Sequence, residues 1–294
     1  MNQNIVADLG YFTTKIFQPS RLIAFRSKIQ HSSIPLKYEN THSIFIDNVN
    51  YLVGDMAENV DINLDKSNST LHLLTTLTGL GLMGSNYYNL IANIPLNYFN
   101  KINKEALEKH LTISKTFILN NVPTSIAIQK CIVFPQTLSA LYVNKTQPIT
   151  GIIDIGGLTC QSCICENLNI IQSTITSSNL GMLILYNKIR KQLNSIYNLD
   201  IKDYEIEFIF KNGLPSKPES LSIIDSICIQ HIEEIVKTLK LTGWNLESTP
   251  ILLTGGGVLL LEKYLSKVLP IYKMSNDPVN DNCKGLWEVS KYVF

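Results

Sequence analysis

Apolar residues fall into short runs, separated by segments in which they recur at helical spacing. The run at 4–8 ends in an acid and is followed by Gly10. The segment at 70–82 carries leucines three residues apart, which predicts a helix. Short extended runs mixed with such segments are typical of a mixed α/β protein. The same pattern predicts further strands at 14–17, 22–25, 43–47, 51–53, 89–94, 115–120, 125–134, 149–155, 161–165, 168–173 and 250–254, and helices at 104–111, 179–193, 221–241, 258–268 and 282–292.

Two stretches are less regular. Pro135 directly follows the run at 125–134, and a proline suits the first turn of a helix, so we expect a helix over 135–142. The segment at 202–217 contains Gly213 and Pro215 without apolar periodicity and is expected to be irregular.

The opening pattern occurs twice. Ile-Val-Ala-Asp-Leu-Gly at 5–10 resembles Ile-Ile-Asp-Ile-Gly-Gly at 152–157. Each segment opens a half of the chain in which strands and helices are mixed. We therefore expect two related α/β domains with a boundary near residue 149, and the absence of a low-complexity linker predicts that they pack around a cleft.

Composition narrows the function classes. The 294 residues include 25 basic and 24 acidic side chains, a net charge of +1, which excludes a strongly basic nucleic-acid binder. The 45% hydrophobic content excludes a disordered chain. No uninterrupted apolar stretch reaches the ~18 residues of a membrane span, and no basic region followed by an apolar core opens the chain. We therefore expect a cytoplasmic protein with six reduced cysteines and no membrane partner.

The first candidate for chemistry is Asp8-Leu9-Gly10-Tyr11-Phe12-Thr13-Thr14-Lys15. An acid at a strand end, a glycine, hydroxyls and a lysine can build a phosphate loop, because glycine lets backbone amides approach anionic oxygens. Lys15 would neutralise a phosphate and Asp8 would hold water on Mg²⁺. The alternative is an ordinary hairpin with an acid near its turn.

Two later segments have the same character. Asp154-Ile155-Gly156-Gly157-Leu158-Thr159 places two glycines after an acid, although a simple turn is the alternative. Thr254-Gly255-Gly256-Gly257 lies between a strand and a helix, where its backbone can meet a nucleotide. The chain contains no G-x-x-x-x-G-K-[ST] sequence, which excludes a Walker-type NTPase, and no G-x-G-x-x-G fingerprint.

In this order, the three segments resemble the phosphate-1, phosphate-2 and adenosine motifs of the actin/Hsp70/sugar-kinase superfamily. Within it, the chain most resembles bacterial actin-like proteins of the ParM type, which segregate plasmids. The resemblance covers nearly the whole chain. Four shorter segments also resemble elements of this family: Asn50-Tyr51-Leu52-Val53-Gly54, Ile94-Pro95-Leu96-Asn97-Tyr98-Phe99, Asn179-Leu180-Gly181 and Asn280-Asp281-Asn282-Cys283-Lys284-Gly285.

The resemblance implies two RNase H-like domains around a nucleotide cleft. It assigns domain I to 1–149, with a small subdomain at about 29–85 and the C-terminal helix 278–294, and domain II to 150–277. The segment between Gly181 and Gly255 is short for the family, so the small subdomain of domain II, at about 195–219, is expected to be reduced, as in AlfA-type proteins.

The resemblance also implies site residues. Asp8 and Asp154 would organise Mg²⁺ through water and position the attacking water, and Lys15 would contact phosphate. Gln136 would orient the hydrolytic water, because a carboxamide holds water but is a poor proton acceptor; a surface position at a helix start is the alternative. The implied nucleotide-binding residues are Gly10, Tyr11, Phe12, Thr13, Thr14, Lys15, Gly156, Gly157, Leu158, Thr159, Gly181, Gly255, Gly256 and Gly257.

Several residues depart from the family pattern. Tyr11 and Phe12 are bulky where the family has small residues, and Leu158 interrupts its glycine–threonine run. These departures affect the expected nucleotide affinity and hydrolysis rate more than the expected fold.

The implied function is that of an ATPase, with GTP left open as the nucleotide. It polymerises with copies of itself, segregates plasmid DNA through a DNA-bound adaptor without direct nucleic-acid contact, and loses subunit contacts on hydrolysis. The alternatives are a small-molecule kinase of the same fold and a non-hydrolysing scaffold in cell division or pilus assembly.

The cysteines at 160, 163 and 165 suggest a metal site as an alternative use of that segment. No histidine lies nearby, and on a strand Cys160 faces away from the other two, so we expect small buried side chains.

Overall fold

The computed structural model describes residues 3–32, 38–59 and 66–294. It divides the chain into two compact units, Met1–Lys145 with Val279–Phe294 and Thr146–Pro278. Each unit contains a β-sheet and helices, which confirms the mixed α/β architecture. Within the predicted subdomain at 29–85, residues 33–37 and 60–65 lie outside the described residues.

The first unit is built on one sheet. Among the described residues its strand order is β3-β2-β1-β7-β9-β8-β5-β6-β4, with β1, β7 and β9 parallel neighbours at the centre. The strands are β1 (Gln3–Leu9), β2 (Thr13–Gln18), β3 (Arg21–Arg26), β4 (Ile29–His31), β5 (Thr41–Ile46), β6 (Val49–Gly54), β7 (Tyr87–Ile94), β8 (Ser114–Leu119) and β9 (Val122–Pro135).

Helices cover both faces of this sheet. They are α1 (Thr70–Met83), α2 (Lys101–Leu111) and α7 (Asp281–Val293). Side chains alternate along β1, so Ile5 packs in one core with Leu77 of α1, whereas Val6 packs in another with Leu286 of α7. Asp8 shares the face of Val6. The C-terminal helix therefore lies on the side of the sheet to which Asp8 points.

The second unit has a smaller sheet, whose described strands run in the order β12-β11-β10-β14-β15, with β13 paired to β11. Strand β10 is parallel to β14, and β14 to β15. The strands are β10 (Ile149–Ile155), β11 (Cys160–Glu166), β12 (Asn169–Ile170), β13 (Thr176–Ser178), β14 (Ile251–Thr254) and β15 (Tyr272–Met274).

The helices of the second unit share one apolar core with its sheet. Ile153 of β10, Leu185, Cys228 and Leu261 are all fully buried in this core. The helices are α3 (Met182–Tyr197), α4 (Ile206–Asn212), α5 (Ser220–Leu241) and α6 (Gly256–Leu265). None of the described helices in either unit combines the length and hydropathy needed to cross a membrane.

The two sheets repeat one connectivity. Strands β1 and β10 each pair antiparallel with the next strand and parallel with a later one. Asp8 lies opposite Lys15 in the first hairpin, and Asp154 lies opposite Gln161 in the second. The repeat read from the sequence is therefore a repeat of topology.

Three local predictions were wrong. Pro135 is the last residue of β9, paired with Ile94, and the helix expected over 135–142 is only a 3₁₀ turn at Leu138–Tyr142. The segment expected to be irregular contains α4, whose buried Ile206 and Ile209 join the core. The hairpin strand expected at 168–173 is reduced to β12, because a 3₁₀ turn begins at Gln172.

Candidate functional site

Polar side chains gather at one edge of the first sheet. Strands β1, β7 and β9 are parallel neighbours, and their carboxyl ends bring Asp8, Asn93 and Gln136 to the same edge. In α/β proteins, ligands bind outside the carboxyl ends of parallel strands. This edge is therefore the candidate site of the first unit.

Asp8 is buried and held by side chains from other elements. The Asn93 carboxamide donates to Asp8 Oδ1 at 2.6 Å and accepts from the Leu9 amide at 3.0 Å. The Lys15 ammonium lies 3.4 Å from Asp8 Oδ2 and also donates to the Val279 carbonyl. The carboxylate direction is thus fixed mainly by Asn93, a residue that the sequence analysis did not single out.

The loop after β1 is supported from behind. The Lys66 ammonium is fully buried and donates to the Leu9 carbonyl. Ser27 Oγ donates to the Gly10 carbonyl and lies 2.8 Å from Thr14 Oγ1. The Thr14 hydroxyl therefore has a structural partner within the unit.

The two bulky loop residues are accommodated by packing. Tyr11 is buried, its ring centroid 6.0 Å from that of His72 and 4.9 Å from the Lys66 ammonium. The guanidinium carbon of Arg26 lies 3.5 Å from the Phe12 ring centroid. Both rings thus contact neighbours within the unit.

Gln136 follows β9 in a strained turn. The backbone amide of Gln136 donates to the Ile94 carbonyl at 2.8 Å, and its backbone carbonyl accepts from the Leu138 amide. Thr137 between them has φ 64° and ψ −55°, the conformation of a classic γ-turn, which is rare for a β-branched residue. Strain of this kind is concentrated at functional sites and persists only where the surroundings hold it.

The C-terminal helix provides that support. Ser139 Oγ donates to Asn282 Oδ1 at 2.9 Å. A Cβ on Gly285 would lie only 1.8 Å from the Ser139 carbonyl oxygen, so the helix can approach this closely only with glycine there. This contact explains the glycine that ends the family-like segment 280–285.

The second unit carries a candidate site of its own. Asp154 is buried at the end of β10, opposite Thr254 of the parallel strand β14. Gly255 has φ 86°, and a Cβ there would lie 2.3 Å from Asp154 Oδ1. Only glycine fits this approach. Around Gly256, which opens α6, a Cβ would meet no atom within 4 Å.

The loop at 156–159 is fastened to the start of α3. The Gly156 amide donates to the Thr159 carbonyl at 2.9 Å and closes the turn. The carbonyls of the loop accept from amides at the start of α3, over distances of 2.8 to 3.1 Å. These bonds are Gly181 to Leu158, Met182 to Gly156 and Leu183 to Gly157.

A histidine of α5 holds the segment before α3. His231 is fully buried, and its Nε2 lies 2.9 Å from the Leu180 carbonyl oxygen. Burial lowers the pKa of His231, which keeps its ring neutral and lets Nε2–H donate to the carbonyl. Its link to the Gly181 segment joins residues 51 positions apart, which no local sequence pattern indicates.

These residues fit a nucleotide and a divalent cation in chemical type. Two buried carboxylates are hard oxygen ligands of the kind that Mg²⁺ prefers, directly or through water. The space beside Gly256 admits close approach to the backbone at the start of a helix, where anions are favoured.

The cysteines of β11 are packing residues in the structure. Cys160, Cys163 and Cys165 are buried, with the sulfurs of the latter two 3.7 Å apart. Burial raises the pKa of the Cys160 thiol, with the Asp154 charge adding to the effect. Among the described residues, no group of three or more His, Cys, Asp or Glu side chains is arranged to hold a metal.

Comparison with known proteins identifies an actin-like domain in the first part of the chain. The family model described as actin like proteins, N terminal domain, matches residues 7–138. No curated protein matches the sequence.

Solved structures match the whole chain. A ParM filament from Clostridium botulinum with 15 strands shares 20% identity at TM-score 0.80, covering 99% of this chain and 100% of its own. Ta0583, an archaeal actin homolog in complex with ADP, shares 15% at TM-score 0.82, covering 99% of both chains. An AlfA filament bound to AMPPNP shares 15% at TM-score 0.68, covering 100% of both.

The resemblance to actin-like proteins of the ParM type is thereby confirmed. Residues 7–138 form an actin-like N-terminal domain, and the chain as a whole has the actin-like fold shared with ParM, AlfA and the archaeal homologue.

Proposed function

We propose that the protein is a nucleotide-dependent, filament-forming ATPase that works in the cytoplasm. Each unit contributes loops to nucleotide binding. ATP is the proposed nucleotide, with GTP as the competitor in the assays below, and Mg²⁺ is the proposed metal ion.

One observation carries this proposal. In each unit the opening strand carries a buried aspartate, Asp8 or Asp154, one residue before its end and beside a parallel strand. A tight loop follows each aspartate. A ligand with a single charged group would need only one aspartate followed by such a loop. A nucleotide with several phosphates and a bound cation can use both aspartates and both loops.

The residues have distinct proposed roles. Gly10 and Lys15 bind phosphate on the first unit. The amides of 157–159 do so on the second, since the Gly156 amide donates to the Thr159 carbonyl and the carbonyls of 156–158 accept from amides at the start of α3. Asp8 and Asp154 would hold Mg²⁺ through water; when bound, this cation neutralises phosphate charge. Gln136 holds and orients a water molecule, and its turn at Thr137 limits its movement.

Assembly is inferred from the similar solved structures, and the cargo from the sequence resemblance to the ParM type. ParM and AlfA relatives form filaments, and the AlfA filament is bound to AMPPNP. We extend both properties to this chain and propose that its filaments separate plasmid DNA through a DNA-bound adaptor. Hydrolysis weakens subunit contacts because the terminal phosphate no longer links the two loops.

Replacement of Asp154 by alanine tests the site. We expect phosphate release from ATP to fall at least about tenfold, because a buried charge that organises the reacting groups is lost. Glu166→Ala, which removes an exposed carboxylate at the far end of β11, is the matched control and should leave the rate unchanged.

An unchanged rate in the Asp154 variant would reject the site assignment. ATP binding without phosphate release in the wild type would favour the scaffold function. Formation of ADP that depends on an added small-molecule acceptor, without release of inorganic phosphate, would favour a kinase.

A further inference from the structure

The segment after α3 exposes aromatic side chains on the second unit. Tyr204 and Phe208 flank the first turn of α4, with 83% and 57% of their surfaces exposed. Four carboxylates lie beside them in the sequence. Two of these are paired with cations, Asp200 with Lys202 and Asp203 with Arg190, which leaves the set with a net negative charge. We call this set the acidic aromatic patch, and its charged members are Asp200, Lys202, Asp203, Glu205 and Glu207.

Contacts with α3 hold the patch in place. Asp203 forms a 2.7 Å ion pair with Arg190, and Asn194 Oδ1 accepts from the Ile201 amide at 2.9 Å. On the inner side of α4, Phe210 packs edge-on against Tyr186 at 5.4 Å between ring centroids. The two exposed rings are therefore carried on an anchored element, so ordering them on binding costs little entropy.

A groove of opposite character lies on other elements of the same unit. It has a volume of about 400 Å³ and is formed by the last turns of α5 and the segment after α6. We call it the basic groove, lined by Glu233, Val236, Lys237, Lys240, Leu241 and Val268. Leu241 has 78% of its surface exposed, and Lys267 adds a further positive charge beside Val268.

Patch and groove are complementary. The patch offers large aromatic side chains within a negative rim, whereas the groove offers the apolar side chains of Val236, Leu241 and Val268 beside two lysines and one glutamate. Exposed apolar patches with a polar rim mark interaction sites, and charge complementarity fixes their orientation. None of the patch residues lines the groove, so the two surfaces are separate on one copy.

We infer that the basic groove of one copy binds the acidic aromatic patch of a second copy. Because the two surfaces differ, the contact is heterologous: each copy uses its patch on one neighbour and its groove on another. Repetition of such a contact, where the rotation does not close a ring, gives an open filament. The inference rests on the proposed self-assembly and names the surfaces that carry it.

Two double variants test the contact. Tyr204→Ser with Phe208→Ser removes the patch, and Lys237→Glu with Lys240→Glu reverses the groove charge. All four side chains are exposed, so folding is retained, which circular dichroism and nucleotide affinity check. Leu259→Ser, which removes a half-exposed leucine from α6, is the control.

We expect each double variant alone to raise the critical concentration for ATP-dependent pelleting at least about tenfold, a change of about 1.4 kcal/mol. The control should stay within twofold of the wild type. An equimolar mixture of the two double variants should form a 1:1 dimer in sedimentation velocity, because one intact patch meets one intact groove. Raising the salt concentration should dissociate this dimer.

Pelleting of either double variant at the wild-type concentration would overturn the inference and leave the groove to another partner, such as an acidic peptide. A mixture that stays monomeric would overturn it as well. Failure of the wild type to pellet would count against the proposed filament function, whereas the mixture at high concentration would still report on the contact itself.

Discussion

Asn93 is the residue on which the candidate site of the first unit most depends. It is fully buried on β7 and bonds Asp8 Oδ1 at 2.6 Å and the Leu9 amide at 3.0 Å. Asn93→Ala removes both bonds and leaves a buried amide and a buried carboxylate oxygen without this partner. We expect this variant to lower the free energy of unfolding of the first unit and to release Asp8 from its position.

The size of the effect follows from the two bonds. A hydrogen bond to a charged group contributes about 1.5–3 kcal/mol and a neutral one about 1 kcal/mol, so the expected loss is about 3 kcal/mol. Asn89→Ala is the matched control on the same strand. Asn89 is only part-buried and bonds Asn4 at 3.2 Å, so we expect a loss of about 1 kcal/mol or less.

Urea unfolding followed by tryptophan fluorescence measures this difference. The chain has two tryptophans, and in a Trp244→Phe background the signal comes from Trp287 of α7, within the first unit. With a urea slope of about 1–3 kcal/mol per molar, the midpoint should fall by at least about 1 M. A loss under about 1 kcal/mol, or one equal to that of Asn89→Ala, would refute the reasoning.

Three further predictions follow from buried contacts. Gly285→Ala should lower the free energy of unfolding by about 3 kcal/mol, since the added Cβ would lie 1.8 Å from the Ser139 carbonyl oxygen. Gly256→Ala is the control: its added Cβ would have no atom within 4 Å, so the free energy of unfolding should change by less than about 1 kcal/mol. Burial, and next the charge of Lys66, lowers the pKa of His72 well below 6.5, so the unfolded state binds a proton that the folded state does not. The free energy of unfolding therefore falls as the pH drops below about 6.5. Between pH 7 and pH 5.5, urea unfolding should show that the wild type loses about 1 kcal/mol more of this free energy than His72→Gln does. An equal loss in the two proteins would contradict this. Because all six cysteines are buried, a thiol reagent should modify the native protein far more slowly than the urea-unfolded chain, and a rapid native reaction would contradict their burial.

The sequence predicted most of the fold because the relevant signals are local. Apolar periodicity located α1 and α5 to within a residue or two at each end, and the repeated strand–acid–glycine pattern located β1 and β10. Pro135 misled the prediction because β9 continues through its pairing with Ile94, and a proline is tolerated at the end of a strand. Helix α4 escaped notice because it is only seven residues long.

The partners of the site residues could not be read from the sequence. Asn93 meets Asp8 across 85 positions, and Lys66 meets Leu9 across 57. Such contacts depend on strand register and helix packing, which no local pattern contains. An asparagine within the apolar run before Ile94 was a usable signal for Asn93, because a buried carboxamide needs hydrogen-bond partners.

Nucleotide-dependent sedimentation tests the central proposal most directly. Protein at tens of micromolar is centrifuged with Mg²⁺ and ATP, with Mg²⁺ and ADP, and without nucleotide, and the pellets are inspected by electron microscopy. We expect filaments with ATP and a smaller pellet with ADP. The absence of a pellet under every nucleotide condition would contradict the account.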